Sequence, residues 1–150
     1  MIDITWSYKN FTELTVAELY CILELRSEVF VVEQKCVYQD MDGKDVKSLH
    51  LCGWLKNQLV AYCRILPPGL SYEQPSIGRV LTNAAHRKDG HGKQLMQKAI
   101  KKTYALYNSA QIKIGAQQYL FNFYNELGFK QVGQPYLEDG IPHIHMLHTR

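Results

Sequence analysis

Long apolar runs are missing from this chain. No stretch approaches the ~20 residues a membrane-spanning helix needs. The opening MIDITWSYKN has no basic segment leading into an apolar one, so it does not read as a signal peptide. Charge of one sign is also scarce. Seventeen lysines and arginines stand against fourteen acids, a formal +3. A binder of nucleic acid usually shows a basic stripe and a pI above about 9. Neither a membrane nor a nucleic acid is therefore expected as partner. The four cysteines, Cys21, Cys36, Cys52 and Cys63, lack Cys-x-x-Cys spacing, which argues against a zinc knuckle or a thioredoxin-type motif. The simplest reading is a soluble, cytoplasmic protein of a reducing compartment.

What is present suffices for one domain over residues 1–150. The chain is 46% hydrophobic, and at this length about two thirds of the unfolded surface is buried. The pattern alternates strands and helices. IDITWSY reads as a strand. LTVAELYCILELRSEVF reads as a helix, with Thr15 and Glu18 as a capping box and Val16, Leu19, Tyr20, Leu23 and Val29 or Phe30 recurring at helical spacing. VVEQKCVYQDMDGKDVK has no clear period and reads as a loop. SLHLCGWLK and LVAYCRILP read as strands around an Asn57–Gln58 turn, which would set Cys52 opposite Cys63 as two packed thiols. SIGRVLTN is a further strand. HGKQLMQKAIKKTYALY is an amphipathic helix burying Leu95, Met96, Ala99, Ile100, Thr103 and Tyr107. AQIKIGA is a strand, and YLFNFYNELGF a short helix closed by Gly128. The tail reads as two strands joined across EDGIP.

The stretch RVLTNAAHRKDGHGKQLM joins a strand to a helix through a basic glycine loop. A dinucleotide fingerprint needs a third glycine where Leu95 stands, and a phosphate-binding Walker loop needs Ser or Thr where Gln94 stands. Arg-x-x-Gly-x-Gly remains, from Arg87 to Gly92. Glycines let the backbone approach a ligand closely, and the unpaired N–H groups of a helix start favour a pyrophosphate.

This motif and its setting resemble motif A of the GNAT acyltransferases. The resemblance implies that Arg87, Lys88, Asp89, Gly90, His91, Gly92 and Lys93 hold the pyrophosphate of acetyl-CoA. It also implies that Val80, Leu81 and Thr82 pair with the pantetheine arm. Downstream, AQQYLFNFYNELGF resembles motif B, which places Tyr124 near the thioester sulfur as the acid for the leaving thiolate. Gln117 stands where the family commonly has an Asn seven residues before that Tyr. LRSEVFVVEQKCVYQDMDGKD and EDGIPHIHM are similar to the ElaA subgroup. The implied fold is α/β, a GNAT fold with a mixed, mostly antiparallel sheet and helices on both faces. The implied activity is acetyl-CoA-dependent N-acetyl transfer to a primary amine, small or lysine-like, by direct attack in a ternary complex. A CoA-holding sensor without turnover is the alternative, and a nucleotide-binding regulatory domain a third reading.

Within that expectation, a backbone N–H of the Val80–Thr82 strand can hold the developing oxyanion if a bulge leaves it unpaired. An alkyl ammonium has a pKa of about 10.4 and needs a base. The candidates are Glu33, Asp40, Asp42, Glu138 and His143. Glu33 follows the apolar VFVV, which would partly bury it and raise its pKa. Asp40, Asp42 and Asp45 suit turns. As an acidic rim, they would favour a cationic acceptor at a substrate site shared with Glu33 and His143. His143 and His145 share one strand face. That spacing suits a metal, but a polar substrate pocket is the preferred reading, and no metal is expected. His86 and His91 flank the loop, and Cys36 allows an acyl-cysteine route that direct transfer outweighs. Oligomeric state stays open, a homodimer included.

Overall fold

The computed structural model describes residues 3–150, with Lys88 described through its backbone alone. Ile2 of the expected first strand and the Lys88 side chain lie outside the described residues. Strand β1 spans Thr5–Asn10 and helix α1 Val16–Arg26. Strands β2 (Leu49–Leu55), β3 (Gln58–Leu66) and β4 (Ser76–Thr82) follow. Helix α2 (His91–Leu106), strand β5 (Gln111–Gln117), helix α3 (Phe121–Glu126) and strands β6 (Phe129–Glu138) and β7 (Ile141–Thr149) complete the order. The Ser27–Glu33 segment continues α1 as a π-helical turn, and Lys44–Lys47 and Ala84–Asp89 form 3-10 turns.

The start of α1 follows from two side chains. Thr15 Oγ1 accepts from the Glu18 N–H at 3.0 Å, and Glu18 Oε1 accepts from the Thr15 N–H at 2.8 Å. Two donors that a helix start leaves orphaned are thus satisfied. The buried face differs from the one the spacing predicts. Val16 and Tyr20 are exposed; Val29 of the expected stripe is buried, together with Ile22, Leu25 and Arg26, which the stripe did not include. The apolar residues surround this helix on most sides, so periodicity alone cannot choose among its faces; packing does.

The strands form two sheets rather than one mixed sheet. One has the order β1-β2-β3-β4 and the other β5-β7-β6. Every paired strand in them is antiparallel. Strands β4 and β5 meet near their beginnings, where the Lys113 N–H donates to Pro75 O at 3.0 Å. Beyond that bond a cavity opens between them, with Ile77–Thr82 on one wall and Ile114–Gln117 on the other.

The β2–β3 hairpin turns one residue earlier than Asn57–Gln58. Leu55 pairs with Gln58, and Lys56 takes a left-handed φ of 57°. A bulge between Gly53 and Trp54 shifts the register again. Cys52 therefore faces Tyr62, and Cys63 faces Leu51. A shift of one residue sends side chains to opposite faces, so the two thiols lie on opposite sides of the sheet rather than opposite each other. Cys52 packs with Ile22, Leu25, Tyr62 and Leu81 on the α1 side. Cys63 packs with Leu51, Leu95, Met96 and Ala99 on the α2 side. The expected inward face of α2 is buried at Leu95, Met96, Ala99 and Thr103. The β6–β7 turn uses Asp139 and Gly140, both with positive φ, as tight hairpins require.

Part of the α1-side layer is ionic. Arg26, fully buried, donates from Nε to Asp40 Oδ2 at 2.8 Å and from Nη1 to Asp45 Oδ1 at 2.6 Å. Arg64 binds Asp42 with both terminal nitrogens at 2.8 and 2.6 Å and reaches Asp45 Oδ1 at 3.0 Å. Beside them His50 donates from Nε2 to Asp45 O at 2.9 Å and so accepts from the Tyr62 hydroxyl at Nδ1. Burial works to raise the carboxyl pKa values of Asp42 and Asp45. Arg64 on Asp42, and Arg26 with Arg64 on Asp45, outweigh it and hold both below the usual range.

Breaking a buried pair leaves charge without compensation. Asp45→Ala is expected to cost about 3 kcal/mol, the low end of the usual range because each arginine keeps one partner; urea denaturation measures it. Carboxyls depressed on folding stabilise the protein above their unfolded pKa of about 3.9. That contribution should be intact at pH 6 and fall away as the pH drops through and below 4. A variant lacking Asp42 and Asp45 should show a flatter acid limb.

Candidate active site between the two sheets

The cavity between β4 and β5 encloses about 1000 Å³. Its first end is built by the start of α2. Gly90, the residue before that helix, sits at φ 77° and no side chain caps the helix end. The first-turn amides of α2 thus have neither an intrahelical acceptor nor a side-chain one, and they lie at the positive end of the helix dipole. Gly90, Gly92, Lys93 and Arg87 line this end. The donor set fits a phosphate group.

Arg87 is already engaged. Its two terminal nitrogens bind both carboxylate oxygens of Glu33 at 2.6 and 2.9 Å, and this bond raises the Arg87 pKa. The expected burial of Glu33 behind VFVV does not occur. Its side chain is 42% exposed, because the π turn carries it to the cavity mouth, where it faces Arg87 instead of the core.

The middle of the cavity is β4 itself. Thr82 pairs with Ala61, Leu81 with Tyr62, and Gly78 with Arg64, so Arg79 and Val80 together face Cys63. That is a β-bulge, and it leaves one residue without a ladder partner. The bulge expected beside Val80–Thr82 is therefore present. Tyr124 lies across from it on α3, 6% exposed. Its ring meets Phe123 and Phe129 edge-on at 5.0 and 5.9 Å. Burial, reinforced by Cys63 and Tyr119, pushes the phenol well above its ordinary pKa. Gln117 ends β5 on the same cavity and donates to Gln34 Oε1 at 3.2 Å.

At the far end stand Tyr72, Tyr136, Glu138 and His143. His143 donates from Nδ1 to Ile141 O at 2.7 Å and presents Nε2 to Glu138 Oε2 at 3.4 Å. Tyr136 stacks on His145 at 4.4 Å and lies 5.8 Å from His143. Burial, with Tyr72 and Glu138 adding to it, pushes Tyr136 up to about 12. The hydroxyls of Tyr72 and Tyr136 close over Gly115, where a Cβ would stand 2.9 and 2.8 Å from them. Sequence reasoning missed Tyr72, Tyr136 and Arg79. Tyr72 sits in an aperiodic loop, and nothing distinguishes Tyr136 among ten tyrosines.

The structure brings Glu33, Asp42, Val80, Leu81, Thr82, Arg87, Gly90, Gly92, Lys93, Gln117, Tyr124 and His143 onto one cavity. Asp40, Asp89 and His91 do not line it. The acidic rim is a correction. Asp40 is buried and held by Arg26 and Arg79, and the Asp42 carboxylate is taken by Arg64 and Arg79. Three aspartates are matched by three arginines, so this face offers a cation no net negative charge. Asp89 pairs with His86 at 3.6 Å. Cys36 lies on the cavity wall, its Sγ donating to Asp139 O at 3.5 Å. Among the described residues, no group of three or more His, Cys, Asp or Glu side chains is arranged to hold a metal. No helix among them is long and apolar enough to cross a membrane.

The chain has the acyl-CoA N-acyltransferase fold. The profile of the Acetyltransferase (GNAT) domain matches residues 11–149, and the chain belongs to that family. Within it the chain is ElaA-like. It is 44% identical to protein ElaA of Escherichia coli K12 over 145 residues, 95% of each chain. The crystal structure of E. coli ElaA superposes with a TM-score of 0.90 at 43% identity, covering 97% of this chain and 99% of that one. An acyl-CoA N-acyltransferase from Pseudomonas aeruginosa superposes at 0.93 with 43% identity, over 98% of this chain and all of that one.

The cysteines give a direct check of the packing. Burial pushes Cys52 up to about 12 and Cys63 higher still, while Cys21 and Cys36 are half-buried. A thiol reagent at pH 8 should modify Cys21 and Cys36 in the native protein. Cys52 and Cys63 should react only after unfolding, as peptide mass mapping would read.

Proposed function

We propose that this chain moves an acetyl group from acetyl-CoA to a primary amine by direct attack in a ternary complex. One observation carries the reading. A single cavity joins a phosphate-fitting helix start, a strand bulge and a buried tyrosine. Arg87, Lys93 and the amides around Gly90 and Gly92 would hold the pyrophosphate, and Val80–Thr82 would take the pantetheine arm. When bound, acetyl-CoA supplies an activated thioester.

The residues around that thioester have separable tasks. The bulged backbone of β4 offers a donor for charge developing on the carbonyl oxygen, and such a donor is worth about 10²–10³ in rate. Tyr124, a phenol protonated at neutral pH, would give its proton to the departing thiolate; burial makes it a weaker acid than a free tyrosine. Of the base candidates, Asp40 and Asp42 are spent on arginines and Glu33 on Arg87. His143 is left at the acceptor end, with Glu138 3.4 Å from its Nε2. Its Nδ1–H is committed to Ile141 O, so the neutral ring has its lone pair on Nε2. That atom is the one placed to take the amine's proton, directly or through water.

Glu33 has a different part in this reading: it competes with pyrophosphate for Arg87. An exposed ion pair is worth about 0.5–1 kcal/mol. Glu33→Gln should therefore tighten CoA binding about two- to fivefold in calorimetry and leave pantetheine, which lacks pyrophosphate, unchanged.

Tyr124→Phe tests the chemistry. With an amine from a broad panel, thiol release should fall by about 10²-fold or more, while acetyl-CoA affinity stays within about twofold. A CoA-holding protein without turnover would show no thiol release with any amine, before or after the substitution. Binding of ATP or NAD as tight as that of CoA would remove the reading altogether.

A further inference from the structure

The bulge in β4 is made by an unexpected residue. Four non-glycine residues among those described have positive φ: Lys35, Lys56, Arg79 and Asp139. Three of them sit in turns, and Arg79, at φ 50°, sits inside a strand. A left-handed conformation in a bulge normally falls to glycine, which has no Cβ to clash. Gly78 is the residue just before, yet the strained position is the arginine. Conformations of this kind persist only where the surroundings over-determine them.

The surroundings here are specific. Arg79 donates from Nε to Asp40 Oδ1 and from Nη2 to Asp40 O, both at 2.8 Å, and reaches Asp42 Oδ2 at 3.5 Å. Its guanidinium lies 5.9 Å from the Tyr38 ring centre. Asp40 is in turn fixed from the core, with Oδ2 held by the fully buried Arg26 and Oδ1 taking the Tyr38 hydroxyl at 3.2 Å. The guanidinium is thus anchored to α1 through the carboxylate of Asp40, thirty-nine residues before Arg79 in the chain.

We propose that the Asp40–Arg79 pair is a positioning device, holding Arg79 in the conformation that forms the bulge and so aiming the following β4 amides at an acyl carbonyl in the cavity. The inference rests on the acetyl-transfer reading. It assigns Arg79 and Asp40 no contact with the reacting atoms. They act through the backbone of Val80 and Leu81. The same pair ties the segment before the Lys44–Lys47 turn to the thioester strand, so the acceptor-side wall and the carbonyl donor are set together.

The test is spectroscopic and needs no acceptor. Acetyl-CoA labelled with carbon-13 at its carbonyl is bound to the wild-type protein, to Arg79→Gly and to Asp40→Asn, and its stretching frequency is read by infrared difference. Wild type should lower the frequency relative to free acetyl-CoA. Both variants should keep CoA affinity within about threefold, since the pyrophosphate end is untouched, and lose most of that downshift. With any amine that turns over, kcat should drop by at least about tenfold at unchanged KM for acetyl-CoA, towards the ~10²-fold that a 1 Å misplacement costs.

Arg79→Gly is the decisive variant. Glycine adopts φ 50° freely but cannot reach Asp40. A wild-type downshift in that variant would show that the backbone conformation needs no latch, and would overturn the proposal. So would a wild-type protein that binds acetyl-CoA without any downshift. Failure of the wild type to bind acetyl-CoA at all would instead remove the transferase reading. Should Asp40→Asn not fold, Arg79→Gly leaves the Arg26–Asp40 bond intact and answers the same question.

Discussion

One alternating chain of buried charge organises this molecule. Arg26 on α1, Arg64 on β3 and Arg79 on β4 converge on Asp40, Asp42 and Asp45, which lie on the irregular segment before β2 and its short 3-10 turn. Desolvating such groups is expensive, and the network offsets that cost only because every carboxylate has at least two charged partners. The aspartates cannot leave without stranding the arginines. A loop that would otherwise be mobile is thereby pinned to three elements at once, and it becomes a wall of the cavity.

The cavity follows from two departures from regular sheet structure. Strands β4 and β5 part after their first residues, and β4 bulges just beside the split. Each departure leaves backbone groups without ladder partners, which in a closed sheet would be a loss. Here they line a cavity of about 1000 Å³. The helix after β4 begins without a side-chain cap, so its amides too stay available. Stability has been given up at the three places where a ligand would be gripped.

The elements were largely legible in the sequence because each rests on local physics. The Thr15–Glu18 capping box, the α2 stripe, the Gly128 stop and the Asp139–Gly140 turn all form where nearest neighbours require them. The inward face of α1 was not legible. Its apolar residues surround the helix, and the sheet selected Ile22 and Leu25 with a buried arginine beside them. The hairpin register failed for a related reason. Local preference for Lys56–Asn57 over Asn57–Gln58 is weak, and the bulge at Gly53 answers to Trp6, which would lie 2.8 Å from a Cβ placed there.

The site divides the same way. The sequence alone established that a glycine loop joins a strand to a helix, and the family resemblance of its downstream strings singled out Tyr124; both line the cavity. The tertiary structure decided what the charged residues do. Glu33, Asp40 and Asp42 read alike in sequence as acids near a substrate. Folding brings an arginine to each, across 54, 39 and 22 residues, and an ion pair between such distant groups leaves no mark on local pattern. Charge is a property of the residue, but its availability is a property of the fold.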